Sequence, residues 1–147
     1  MDRYYASLAN ACLEMGGITH FYSDNVPDDF AVPSLYFPPF ESYPSVSALN
    51  SYQTSYTLYA NVFALTRQDA MEIAEKIVQG IMQKKCRLPV LNSDGSDSGT
   101  IFKLNPPEAR VVEEGVAQLT LTYSIIKEFK KKTYPKMQNF GINKDYD

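Results

Sequence analysis

A chain of 147 residues with 44% hydrophobic and 21% charged content has the size and balance of one folded domain, which excludes a disordered or fibrous protein. Its net charge of −3 argues against a dedicated nucleic-acid binder, which carries a basic domain. One histidine and two isolated cysteines, Cys12 and Cys86, exclude a secreted disulfide framework and miss the ligand spacings of a zinc site.

Eleven tyrosines and eight phenylalanines against no tryptophan are the compositional departure. Such rings are enriched at protein contacts and also in strands, so both uses stay open. The start, Met1-Asp2-Arg3-Tyr4-Tyr5, lacks a basic region followed by an apolar run. No stretch approaches the roughly 18 apolar residues of a membrane span. The expectation is a soluble chain made in a reducing cytoplasm, with no membrane partner.

In chain order, residues 2–15 read as a helix, with Tyr5, Leu8, Ala9, Cys12 and Leu13 on one stripe and Gly16-Gly17 as its stop. Cys12 reads as a small core residue. Residues 18–22 form a short strand, and 24–29 a polar loop containing Pro27. Residues 32–40 hold Pro33, Pro38 and Pro39 around Leu35-Tyr36-Phe37. Proline cannot donate to a sheet, so the segment reads as an edge or an irregular extended arm. It either packs over its own core or pairs with a neighbouring subunit by strand addition. Serine-rich 41–50, with Pro44, reads as a loop.

Residues 52–64 alternate with period two: Tyr52, Thr54, Tyr56, Leu58, Ala60, Val62 and Ala64 on one face, Gln53, Ser55 and Thr57 opening the other. Thr66 with Asp69 three residues on resembles a capping box. The helix it starts carries Ala70, Ile73, Ala74, Ile77, Val78, Ile81 and Met82 at spacings of three and four. Such a helix gains its stability by packing, so it must lie on the sheet that Leu58 and Val62 help build.

Residues 87–91 follow as a short strand, 92–99 as a polar turn or loop, and 100–104 as a strand stopped by Pro106-Pro107. Residues 109–113 and 116–126 form a hairpin around Glu114-Gly115. From Lys127 the character changes: Lys127, Lys130, Lys131, Lys132 and Lys136 cluster, and periodicity ends. The reading is a single domain over 1–130 with a flexible tail over 131–147. The fold class is α+β, a mixed and largely antiparallel sheet flanked by two main helices.

Candidate chemistry is thin. His20 has no nucleophile in a recognisable setting, and a triad needs one. The acidic loop at Asp94 and Asp97 lacks the spacing of a calcium loop, since its twelfth position is Asn105 rather than glutamate. Glu113 and Glu114, adjacent on a strand end, point to opposite faces and make no acid–base pair. Cys86 follows Lys84 and Lys85, which favours a thiolate somewhat. No catalytic residue, metal or cofactor is expected.

The layout resembles the tail-terminator and tail-completion proteins of long-tailed bacteriophages, and related minor capsid, head–tail joining proteins of prophages. In that family a Q-x-x-Y-x-L-x-V-x-V-(F/W)-(A/S) strand precedes a helix, and a Q-L-x-L-x-(Y/F) strand closes the sheet. Gln53, Tyr56, Leu58, Ala60, Val62 and Phe63 occupy the first pattern, and Gln118, Leu119, Leu121 and Tyr123 the second. The element order agrees over 1–130, with the motifs confined to 52–82 and 116–126. The proline-rich arm and the tail have no counterpart in the pattern.

The resemblance implies a non-enzymatic structural protein of the virion neck, present in the host cytoplasm during assembly. Its partners would be itself, as a ring that is typically a hexamer, the tail-tube protein and the head-connector protein. The ring would cap the tail tube, with DNA only passing through the lumen. On that reading Tyr36, Phe37 and Phe40 are the candidates for subunit contact. Asn92, Asp94 and Asp97 form a lumen or partner loop, and Lys130, Lys131 and Lys132 meet an acidic partner. Two alternatives stand beside it: another neck or tail adaptor, and a small-ligand-binding α+β module whose Tyr- and Phe-rich segment lines a pocket.

Overall fold

The two segments with the cleanest alternation become the two longest strands. In the computed structural model, which describes residues 3–129, β4 (Ser51–Phe63) and β8 (Val116–Glu128) pair antiparallel along their whole length. Leu58, Ala60 and Val62 face Leu121, Leu119 and Ala117 across that ladder, and all six are fully buried. The opposite face of the same strands carries Ser55, Thr57 and Asn61 beside Ser124, Thr122 and Gln118. Period two thus divides the sheet into an apolar inner face and a polar outer one.

Ahead of β4 come α1 (Arg3–Gly16), β1 (His20–Ser23), β2 (Ser34–Phe37) and β3 (Glu41–Ala48). After it come α2 (Arg67–Gln83), β5 (Arg87–Leu91), β6 (Asp97–Lys103) and β7 (Glu108–Glu113). The main sheet has the order β1-β2-β4-β8-β7, with β3 also paired to β4, and β5–β6 forms a separate hairpin. Only β1 and β2 run parallel. The mixed, largely antiparallel α+β expectation therefore describes the molecule.

Both helices cover the inner face. α2 buries Ala70, Ala74, Ile77 and Ile81, as its spacing indicates. Met82, on the same stripe, instead stays 47% exposed in the last turn. Small residues let the helices approach: a Cβ at Gly80 would stand 2.7 Å from Met15 Cγ. α1 stacks Tyr4 on Tyr123 and holds the β5–β6 hairpin through Ser7, whose Oγ accepts from Leu91 N–H at 2.8 Å. The Leu104–Tyr123 bridge then ties the hairpin's exit to β8.

The start of α2 is fixed from two directions. Thr66 Oγ1 accepts from Asp69 N–H at 3.1 Å, the expected cap. From the β7–β8 turn, Glu114 Oε2 accepts Arg67 N–H at 2.8 Å, and the Gly115 carbonyl accepts Ala64 N–H at 2.9 Å. A carboxylate at a helix N-terminus also meets the positive end of the dipole.

The structure departs from the sequence expectation at three places. The proline-rich segment holds β2, which is interior rather than an edge, because its prolines flank the strand and leave Ser34–Phe37 free to pair on both sides. The serine-rich 41–50 is not a loop: β3 pairs with β4 from Glu41↔Thr57 to Ala48↔Ser51. A strand paired on one side only tolerates Pro44 and needs few apolar residues. The acidic turn is also shorter than expected, since β6 begins at Asp97. The tail read over 131–147 lies outside the described residues.

Two measurements test this packing. Gly115 has φ +77°, and a Cβ there would stand 2.7 Å from the Ala64 carbonyl oxygen. Gly115→Ala should lower stability by about 1–3 kcal/mol in urea unfolding, and an unchanged midpoint would contradict the clamp. Burial pushes the Cys12 thiol from 9.0 up to about 12. Burial, then the nearby Asp24, pushes Tyr5 from 10.0 up to about 12. Both groups ionise first in the unfolded chain, so their contribution is whole below about pH 9 and drains away as pH rises toward 12. Melting temperature should fall through that window, and less steeply in Cys12→Ala.

Candidate interaction surfaces

The described residues hold no group of three or more His, Cys, Asp or Glu able to bind a metal. Nor do they hold a helix long and apolar enough to cross a membrane. His20 is exposed at the start of β1, while Cys12 and Cys86 are buried. The Cys86 thiol donates to Met82 Sδ at 3.6 Å.

The aromatic arm divides. Phe37 is fully buried, edge-on to Tyr5 and Phe21 with ring centroids 5.3 Å apart in each case. Phe40 is half-buried among Tyr5, Tyr56 and Tyr123. Packing over the chain's own core describes these two rings, whose edge-to-face geometry suits an aromatic cluster. Tyr36 keeps a half-exposed ring on the outer face, its hydroxyl donating to the Asp24 carbonyl at 3.3 Å.

Asn92, Asp94 and Asp97 lie in and beside the β5–β6 turn, all exposed. Asp94 Oδ1 accepts from the Ser96 hydroxyl at 2.6 Å and its N–H at 2.9 Å. Asn92 N–H donates to the Ser96 carbonyl at 2.7 Å. Asp97 Oδ1 accepts from Gly99 N–H at 2.8 Å. Each carboxylate is thus engaged by its own turn, and the two do not converge on a shared ligand. Lys130, Lys131 and Lys132 lie outside the described residues.

Three features were not singled out from the sequence. One is the outer sheet face, where Ser55 pairs with Ser124 at 2.9 Å and Thr57 with Thr122 at 3.2 Å between hydroxyls. Over its β1–β2 end lies the 24–33 loop, held by Ala31 N–H on the Tyr22 hydroxyl at 3.0 Å and by Phe30 against Phe63. Another is the far end of β3, β4 and β8, which carries exposed Val46, Leu49, Ile126 and Phe129, Val46 at 83%. The third is an open groove of about 640 Å³ between α2 and β7, with Thr66, Arg67, Met71, Glu75, Val111 and Glu114 among its walls. Only the polar face had a sequence signal, the alternate positions of 52–64 and 116–126.

No family model matches the chain. It is similar to the phage-like element PBSX protein XkdJ of Bacillus subtilis (strain 168), at 26% identity over 122 residues, 83% of this chain and 84% of that protein. It is also similar to the uncharacterized protein YqbJ of the same organism, at 33% identity over 93 residues, 63% of this chain and 64% of YqbJ. Among solved structures, a chain from the virion of a native gene transfer agent (GTA) particle shares 13% identity at a TM-score of 0.45, over 81% of this chain and 90% of that one. The resemblance carried by the β4 and β8 motifs and the PBSX relative both point to phage-type proteins.

The Asp94 turn supplies its own check. The Ser96 hydroxyl, then the Ser96 N–H, hold the Asp94 carboxyl below its ordinary 3.8. Its contribution is present above that value and lost as pH falls through the lowered midpoint. NMR titration should place Asp94 below 3.8, and Ser96→Ala should move it upward. An identical midpoint in the two proteins would remove the hydroxyl from the account.

Proposed function

We propose that this chain is a structural assembly protein of a phage-type particle, acting at the head–tail joint as a ring that caps the tail tube. The similarity to a PBSX phage-like element protein across 83% of the chain supports the phage-type part of this reading; the joint and the ring rest on the resemblance of the β4 and β8 motifs to tail-terminator proteins. The fold is compatible with it. One long sheet has its helices on a single face, leaving a polar outer face and several strand edges for contacts within an assembly. Its partners on this reading are further copies of itself, the tail-tube protein and the head-connector protein. DNA passes through the lumen without being gripped, which suits a chain of net charge −3. The role is non-enzymatic and needs no cofactor.

Light scattering over a tenfold or wider concentration range, with negative-stain images of the same sample, tests self-association. The expected result is a closed ring of about six copies, built from unlike surfaces meeting head to tail. The same protein added to polymerising tail tubes should bind their ends and limit their length. A chain that stays monomeric and neither binds tubes nor changes their length would sink the proposal.

A further inference from the structure

A basic group lies toward the β7 side of the main sheet, where β7 also exposes Glu108 and Glu113, and an acidic group lies toward the β1–β2 end. On the β7 side, Lys84, Lys85, Arg87 and Lys103 are all exposed. Lys84 and Lys85 occupy the turn leaving α2, and Arg87 stands directly across from Lys103 in the β5–β6 register. The hairpin delivers them to that side because Leu104 bridges Tyr123 and Asn105 N–H donates to the Thr122 carbonyl at 2.8 Å. β4 occupies the other side of β8 throughout, so these contacts fall on the side that β7 shares.

The basic group is built against local preference. Like charges facing each other across a strand pair repel. Lys85 has φ +57°, a left-handed conformation in which glycine is the ordinary helix-end residue. Among the described residues the single ion pair is Arg67 with Glu114, which leaves all four cations without a carboxylate partner.

Toward the β1–β2 end of the sheet, Asp24, Asp28 and Asp29 are exposed in the β1–β2 loop, whose Phe30 packs on Phe63 of β4, and exposed Glu41 opens β3 beside β4. Asp24 and Glu41 lie at the same end of β2, since β1 ends at Ser23 beside Phe37 and β3 begins just beyond it. None of these four carboxylates has an ion-pair partner among the described residues either. From β1 to β7 the strand order crosses about 20 Å of sheet at roughly 4.8 Å per strand.

We propose that these groups are the two halves of one head-to-tail contact between copies of this chain. Lys84, Lys85, Arg87 and Lys103 of one copy face Asp24, Asp28, Asp29 and Glu41 of the next. This rests on the ring reading and adds the surfaces that would close the ring. Four cations matching four carboxylates toward the β1–β2 end favour a second copy over a nucleic-acid backbone, for which a chain of net charge −3 is poorly suited. Complementary charge of this kind fixes register and partner choice. Unlike surfaces are what a closed heterologous ring requires.

The test uses the full chain and two charge-reversed variants, Lys84→Glu/Lys85→Glu/Arg87→Glu and Asp24→Lys/Asp28→Lys/Asp29→Lys, each checked for folding by circular dichroism. Each variant alone should associate at least about tenfold more weakly in light scattering, and high salt should weaken the parent protein in the same way. Mixing the two variants should restore the assembly, because each then offers the charge the other lacks. Restoration also shows that both variants fold. Rings that survive both reversals would overturn this contact and leave the ring reading standing. A parent chain that never associates, in solution or on tail tubes, would remove both. Unchanged self-association together with lost binding of a short DNA duplex in the lysine variant would assign the basic group to phosphates and overturn the contact.

Discussion

The pairing of β4 with β8 is the constraint on which every other element depends. It joins two 13-residue strands far apart in sequence and fixes one register along their whole length. A slip of one residue would turn Leu58, Ala60 and Val62 toward solvent and bring Thr57, Tyr59 and Asn61 inward. Everything else is added to this ladder. β2 and β3 share the free side of β4, β7 takes the free side of β8, and Leu104 brings the β5–β6 hairpin to β8 beyond it. α2 follows β4 after three residues and has little choice but to fold back over the apolar face.

Much of that frame was legible because its signals are local. Alternation marks β4 and β8, and Thr66 with the stripe from Ala70 to Ile81 marks α2. What escaped is what depends on a partner strand. β3 has no apolar alternation, and only the register with β4 makes Ser42, Ser45 and Pro44 strand residues. β2 is four residues between prolines, and its interior position comes from β1 and β4 closing on both sides. Phe37 is open to either use, core packing or subunit contact, because an exposed and a buried ring look alike in sequence; in the fold it is buried. The basic group is the same kind of case. Arg87 and Lys103 become neighbours only through the hairpin register, so no window along the chain shows all four cations together.

The tyrosines and phenylalanines illustrate how composition leaves a use undecided. Tyr123 sits at the centre of a ring cluster with Tyr4, Phe40, Tyr56 and Phe102. Tyr5, Phe21 and Phe37 continue it beneath α1. Many of the aromatic residues therefore glue the N-terminal helix to the sheet, each favourable pair adding about 0.5–1.5 kcal/mol beyond its area. What remains for partners is chiefly hydroxyl and charged surface, with a small apolar group at the far end of β3, β4 and β8.

The clamp between the β7–β8 turn and the start of α2 has a kinetic meaning. The N–H groups of Ala64 and Arg67 find their acceptors at Gly115 and Glu114, roughly fifty residues further along the chain. The first turn of α2 is therefore completed only when the last hairpin has formed and docked. Contacts of such sequence separation slow folding, because a long loop must close before they are rewarded. They also tie the two halves of the chain into one cooperative unit. During synthesis, α2 would leave the ribosome with its start incomplete, and the arrival of β8 would settle the helix and the sheet together.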